Sequence, residues 1–236
     1  MVLPYFYSDQ IKKDSSQLIL NEDTSKHVVQ VLRMKVGEQL QLTDGKGNLF
    51  TVELTDDHKK KATVKILSST FVASSGKKVS IAISLLKNAG RLEWFLEKAT
   101  EIGVNEIIPL ICTRTEKQHF RFDRMNGILI SAMLQSQQAW LPVLHEPTQF
   151  DKLIMRQFDE CQKLLAYCLP DDRKKFLHNQ ITRSPNHLIL IGPEGDFTNK
   201  EIESALNNNF LAVALGETRL RSETAGIVAA TLLCNL

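Results

Sequence analysis

Two short loops carry the residues of this chain best suited to chemistry. The first is Gly192-Pro193-Glu194-Gly195-Asp196-Phe197, and the second runs from Gly216 through Glu217-Thr218-Arg219-Leu220-Arg221-Ser222-Glu223-Thr224. In the first, Pro193 stiffens the chain, while Gly192 and Gly195 can bring bare backbone N–H and C=O groups against a flat ligand. Glu194 adds a carboxylate able to orient a ligand or accept a proton. The second loop supplies Arg219 and Arg221, whose guanidinium groups suit phosphate, base edges and developing negative charge. Each residue also has a plainer account. The first loop would serve as a tight turn with no ligand, and Arg221 would pair with Glu217 or Glu223. Glu223 opens a helix, where the helix dipole favours a carboxylate, so a structural role outweighs a catalytic one. Thr224 would be a second cap, and Phe197 a lid or a core residue rather than a platform for a base.

The elements that must hold these loops follow from pattern. Leu188–Ile191 is a short apolar run with two β-branched isoleucines, read as a buried strand that ends at Gly192. Thr198 stands three residues before Glu201, the capping-box spacing, and predicts a helix from Asn199 to Asn208. Phe210–Leu215 is a second strand, and Ser222 caps a last helix through Ile227, Val228 and Leu232. Two strand–loop–helix units in tandem put both loops at carboxyl ends of strands, where open α/β sheets bind ligands. The same rhythm holds upstream: strands at Val79–Leu86, Glu106–Ile111 and Lys163–Leu169; helices at Leu92–Ile102 closed by Gly103, at Asp123–Ala139, and at Phe150–Phe158. Such alternation predicts a mainly parallel sheet. Residues 1–70 read differently, as short strands at Gln39–Thr43, Leu49–Leu54 and Ala62–Leu67, with a hairpin loop at Asp44–Asn48 and one amphipathic helix at His27–Met34. A small barrel is expected there. Ser68–Gly76 reads as linker, giving domains at 1–70 and 79–236 joined by 71–78.

Composition narrows the class. Of 236 residues, 43% are apolar and 24% charged, ordinary for a globular protein with a substantial core. No apolar run approaches the ~20 residues of a membrane span. Met1–Gln10 lacks the basic-then-apolar layout of a secretory signal, so a cytoplasmic protein is expected. Cys112, Cys161, Cys168 and Cys234 are far apart and without a Cys-x-x-Cys pair, which fits reduced, buried thiols rather than disulfides or zinc. The six histidines form no metal spacing. The net charge of +2 conceals an excess in residues 1–78, with twelve Lys/Arg against nine Asp/Glu. Arg33, Lys35 and Lys59-Lys60-Lys61 there suit a phosphate backbone as well as they suit a solvated face. Dinucleotide, phosphate-loop and nucleophile-elbow motifs are missing from the sequence.

The two loops together resemble a known family. Ile191-Gly192-Pro193-Glu194-Gly195-x-Phe197 with Glu201, then Leu215-Gly216-x-x-x-Leu220-Arg221-Ser222-Glu223-Thr224-Ala225, is similar to the small-subunit (16S) ribosomal RNA uridine-N3 methyltransferases of the RsmE type. These belong to the knotted SPOUT superfamily. The likeness spans the chain: Val31-Leu32-Arg33 with Gly37 resembles the PUA-like domain. Lys98–Val104 with Pro109, and Gln135-Ser136 with Pro142, resemble further family segments. Departures fall at Tyr5, Leu134, Gln138, Asp196 and Thr218-Arg219, none of them at Gly192, Glu194, Gly195, Gly216 or Arg221.

The resemblance implies an α/β fold: a SPOUT domain with a trefoil knot at about 163–225, behind a PUA-like β-barrel. It implies S-adenosylmethionine as cofactor, held by Ile191, Gly192, Gly195, Leu215, Gly216 and Leu220, with Leu169 as a third wall. The reaction would be attack of uridine N3 on the sulfonium methyl, which needs no metal. Because N3 carries an imide proton, Arg221 is expected to stabilise the anion or orient the substrate, with Arg219 as helper, and Glu194 to orient the site or take the proton. Ribosomal RNA or the small subunit would be the partner, contacted by Arg33, Lys35 and Arg219, and the protein a homodimer. The competing readings are a SPOUT enzyme acting on a ribose hydroxyl or a tRNA base, and a non-catalytic RNA-binding protein of the same fold.

Overall fold

The computed structural model describes residues 3–12, 15–74 and 76–235. They form two compact units, one reaching to Ser74 and including Met133–Leu141, the other holding the rest. In the first unit β1 (Tyr5–Tyr7), β2 (Gln17–Ile19), α1 (Glu22–Lys26), β3 (Gln39–Thr43), β4 (Asn48–Asp56) and β5 (Thr63–Phe71) follow one another. The strands lie in the order β1-β3-β4-β5-β2. The expected alternation is plain in β4, where Phe50, Val52 and Leu54 are buried. Phe6 on one edge strand and Leu20 just past the other join them in a single core, as a rolled sheet requires. In the β3–β4 loop the Asp44 carboxylate accepts the N–H groups of Lys46 at 2.8 Å and Asn48 at 3.2 Å.

Two expectations for this unit need correction. The helix begins at Glu22, not His27: the Asn21 side chain accepts the Thr24 N–H at 2.8 Å and so sets the start. His27–Val31 then winds as a wider π turn, and Arg33 leaves it with a left-handed φ of 57°. Ser68–Phe71 is strand rather than linker, because its backbone pairs with Asn48–Thr51 of β4. Its side chains are all exposed, which is why the stretch reads as a polar connector.

The second unit runs β6 (Lys78–Ser84), α2 (Ala89–Ile102), β7 (Glu106–Ile111), α3 (Phe122–Gln135), β8 (Val143–Leu144), β9 (Thr148–Gln149), α4 (Phe150–Ile154), β10 (Cys161–Ala166), β11 (Lys175–Phe176), β12 (Asn186–Ile191), α5 (Asn199–Asn207), β13 (Leu211–Ala214) and α6 (Ser222–Asn235). Met133–Gln135 of α3 count with the first unit. The strand order is β11-β13-β10-β12-β6-β7-β8, with β9 also on β7, and every pairing is parallel. β6 and β12 are buried almost end to end, as central parallel strands are. The helix predicted at Leu92–Ile102 is capped by Asn88 and closed by Gly103 in the left-handed conformation.

Several ends differ from the pattern-based ones. β10 stops at Ala166 rather than Leu169, because its neighbour β12 ends level with it at Ile191 and offers no further ladder partner. α3 stops at Gln135, short of Ala139, where Gln137 turns left-handed (φ 56°). α4 stops at Ile154, not Phe158, and α6 begins at Ser222 itself. α6 packs against α2, β6 and β12. Gly226 permits that approach: a Cβ there would lie 2.5 Å from the Phe95 ring of α2.

Candidate active site

At the carboxyl ends of β10, β12 and β13 lies a cleft of about 750 Å³, a size suited to a nucleotide-like ligand. The three strands end level, Ala166 facing both Ile191 and Val213, so the loops that follow them enclose one space. Leu169, Ile191, Gly192, Glu194, Gly195, Leu215, Gly216, Arg219, Leu220 and Arg221 all line it. Arg33 and Lys35 do not; they belong to the first unit. There Lys35 Nζ stands 4.0 Å from Asp57, and Lys60 pairs with Glu22 at 3.4 Å.

The first loop is shaped by Phe197, which turns back into the core rather than lining the cleft. Its ring is fully buried, 5.4 Å from that of Phe150. Gly192 lies beneath it, where a Cβ would come within 3.1 Å of the ring. Asp196, at φ 64°, occupies a left-handed position that Asp tolerates better than most residues. Its carboxylate accepts the Phe197 N–H and the Cys168 N–H, each at 2.8 Å, and so ties the β12 loop to the β10 loop. Glu194 is exposed, with Oε1 accepting the Lys87 N–H at 3.0 Å. The other two cleft glycines differ in the space beside them. A Cβ on Gly195 would meet the Arg114 side chain at 3.3 Å, whereas one on Gly216 would meet nothing within 4 Å.

The second loop leaves its guanidinium groups accessible. Neither expected partner takes Arg221, whose side chain has no hydrogen bond or ion pair among the described residues. Glu223 is buried instead, with Oε1 3.6 Å from Arg91 Nε on α2. Arg219 is exposed and acts on the Cys168 thiol, which burial and Asp196 push up while Arg219 draws it down. Cys168 is thus an exposed thiol on the cleft wall, not the buried one expected; Cys112 is buried, Cys161 and Cys234 are partly buried, and all four are free.

Other cleft residues carried no signal in the sequence. Arg114, on the loop after β7, donates from Nη1 to the Gly195 carbonyl at 2.7 Å. Tyr167 donates to Asp171 at 2.6 Å, and burial together with that bond raises its phenol well above the usual range. Lys174 lies 5.0 Å over the Tyr167 ring. None stands at a spacing that marks it out. Among the described residues no group of three or more His, Cys, Asp or Glu could hold a metal ion.

Glu201 braces the site from behind. Its buried carboxylate accepts the Thr113 N–H and the Thr198 N–H, each at 2.8 Å, so it joins the β7 loop to the start of α5. Burial alone would raise its pKa, but those bonds prevail and hold it below the usual carboxylate value. A group depressed in the folded state adds stability above its unfolded pKa of about 4.3 and loses it as pH falls through the lower folded value. Calorimetric melts from about pH 7 to about pH 3 should therefore show the wild type losing Tm more steeply than Glu201→Gln. At neutral pH the variant should be less stable by about 1–3 kcal/mol, the cost of a buried bond left poorly made. Parallel acid profiles would remove Glu201 from this role.

Comparison with known proteins agrees with this geometry. A family model described as an RNA methyltransferase domain matches residues 73–234, and one described as an RNA methyltransferase PUA domain matches residues 20–67. The chain is 27% identical over 224 residues to the ribosomal RNA small subunit methyltransferase E of Rickettsia conorii, covering 92% of this chain and 88% of that one. A "probable rRNA-methyltransferase" of Porphyromonas gingivalis superposes with a TM-score of 0.90 at 36% identity, over 98% of both chains. The ribosomal RNA small subunit methyltransferase E of Neisseria gonorrhoeae, solved bound to S-adenosyl methionine, superposes at 0.85 with 29% identity, over 97% of this chain and 95% of that one. With a cleft at the strand ends and a family model covering well over half its length, the chain belongs to the RNA methyltransferase family, carrying that family's PUA domain ahead of the catalytic one.

Proposed function

We infer that the protein transfers a methyl group from S-adenosylmethionine to N3 of a uridine in small-subunit ribosomal RNA. The observation that carries this reading is the single cleft in which the Gly192–Gly195 loop and the Gly216–Arg221 loop meet. The residues fit the cofactor: three strand ends supply backbone polar groups, and Gly216 leaves open space where a side chain would stand. Ile191, Gly192, Leu215, Gly216 and Leu220 would hold it, with Leu169 and Gly195 on the facing walls. When bound, the cofactor supplies a methyl group already activated by positive sulfur.

The protein's own task is then to prepare uridine N3, whose imide proton must leave before the nitrogen is a useful nucleophile. Glu194 is exposed and has Oε1 committed to the Lys87 N–H, with no hydrogen bond to Oε2 among the described residues, which supports it as the group that orients the base or takes its proton. Arg221 offers unpaired donors on the same cleft, suited to the negative charge left on the uracil. Arg219 would assist. In the other unit, Arg33 and Lys35 are exposed and would meet the RNA phosphates.

Three further features belong to the same reading. The segment at about 163–225 would form a trefoil knot; β13 lies between β11 and β10, and α6 touches the Leu177–Asn179 turn of the crossover, which favours threading. The protein would act as a homodimer, because Ile227, Val228 and Leu232 of α6 are only partly covered within one chain. Its place would be the cytoplasm, with its RNA; no described helix is long and apolar enough to cross a membrane.

The test is calorimetric titration with S-adenosylmethionine, followed by nucleoside analysis of methylated small subunits. Gly216→Trp, which fills open space rather than a packed contact, should weaken binding by at least about tenfold, the effect of losing roughly 1.4 kcal/mol. The product should be 3-methyluridine. Undiminished binding in the variant, or a methyl group on ribose, would overturn the assignment.

A further inference from the structure

Beside the cofactor cleft lies a second, shallower hollow of about 380 Å³, bounded by Thr113, Arg114, Thr115, Glu116, Glu194 and Gly195. Arg114, Glu194 and Gly195 line both spaces, so the two meet along that edge. The hollow is firmly built. Buried Thr115 accepts the Cys112 N–H at 2.8 Å and lies 2.9 Å from the Ser84 hydroxyl. On the rim, Lys87 Nζ pairs with Glu116 at 2.8 Å.

The two charged residues on the shared edge are each half used. Arg114 commits Nη1 to the Gly195 carbonyl at 2.7 Å and, more distantly, to that of Phe197 at 3.4 Å. Its Nε and Nη2 hydrogens have no partner among the described residues. Glu194 commits only Oε1. Donors and an acceptor therefore stand together at the mouth of a hollow next to the methyl donor's cleft.

A uracil ring presents carbonyl, imide N–H and carbonyl along one edge, that is, acceptor, donor, acceptor. Cytosine presents a bare ring nitrogen and an amino group there instead. We propose that this hollow seats the target pyrimidine, with Arg114 donating to the ring carbonyl at C4 and Glu194 facing the imide N–H. The pair would then select uracil, because cytosine would set its amino group against Arg114 and leave Glu194 opposite a second acceptor. The proposal rests on the methyltransferase reading above.

Arg114→Lys and Glu116→Trp test it on the full-length protein. The lysine can still reach the Gly195 carbonyl but loses the fork; the tryptophan crowds the hollow from its rim without touching the cofactor cleft. For both, S-adenosylmethionine affinity should stay within about threefold of wild type. The kcat on unmethylated small subunits should fall by roughly 10- to 100-fold, the worth of one or two charge-assisted hydrogen bonds. KM for subunits should move little, because most RNA contacts go to the backbone elsewhere. Wild-type kcat in both variants would overturn the proposal. So would a loss of cofactor affinity in step with rate, which would make Arg114 a prop for the Gly195 loop. If the wild type itself failed to methylate small subunits, the methyltransferase reading would fall instead.

Discussion

Arg221→Ala should fold and bind S-adenosylmethionine as the parent does, yet methylate RNA about 10²–10³ times more slowly, the usual effect of removing one charge-stabilising donor. The first half follows from what Arg221 does not touch. Its side chain is exposed and makes no hydrogen bond or ion pair among the described residues, so truncation orphans nothing. Thermal stability should therefore change by less than about 0.5 kcal/mol. The second half follows from position: Arg221 lies on the cleft wall while its neighbour Glu223 turns away to Arg91. Arg221→Lys should recover only part of the rate, since an ammonium keeps the charge but not the planar fork. Single-turnover rates on saturating small subunits, with parallel melts and cofactor titrations, decide it. A wild-type rate in Arg221→Ala would leave the anion without its proposed partner. Lost cofactor affinity would make Arg221 a binding residue.

What was legible in the sequence is what local chemistry determines. The capping box of Thr198 and Glu201 forms as spaced, since both hydrogen bonds close within one turn. The Gly103 stop and the buried runs of β6 and β12 likewise depend on their own residues. Both loops of the cleft were visible because glycine, proline and charge interrupt apolar runs at strand ends. The π turn was hidden, because an amphipathic run reads the same in either winding; only Asn21-Glu22-Asp23 marked the true start. Arg114 and Asp196 were hidden for another reason. Their partners, Gly195 and Cys168, lie 81 and 28 residues away along the chain. No periodicity reports a contact made only when distant strand ends come level. Asp196 is instructive: read as a departure from a glycine, it keeps the left-handed backbone and adds a tie between two loops.

Glu194→Gln should separate the two roles left open for that carboxylate. Glutamine keeps the size and an oxygen for the Lys87 N–H, so the loop has no reason to move. It cannot accept a proton. If Glu194 is the base, kcat should fall by about 10²–10⁴, the range general bases contribute. Solvent hydroxide must then remove the imide proton, so the variant's rate should climb about tenfold per pH unit, faster than that of the wild type, until uridine itself ionises. If Glu194 only orients the base, the amide still accepts a hydrogen bond, so the loss should stay under about tenfold and both pH profiles should run parallel. A rate equal to wild type at every pH would discard both roles. The steep profile would also bear on Arg221: a free imide anion in the cleft needs a cation beside it, so Arg221→Ala should cost more in the Glu194→Gln background than in the parent and push the recovery to higher pH. The two substitutions would then be strongly non-additive, as groups acting on one charge are.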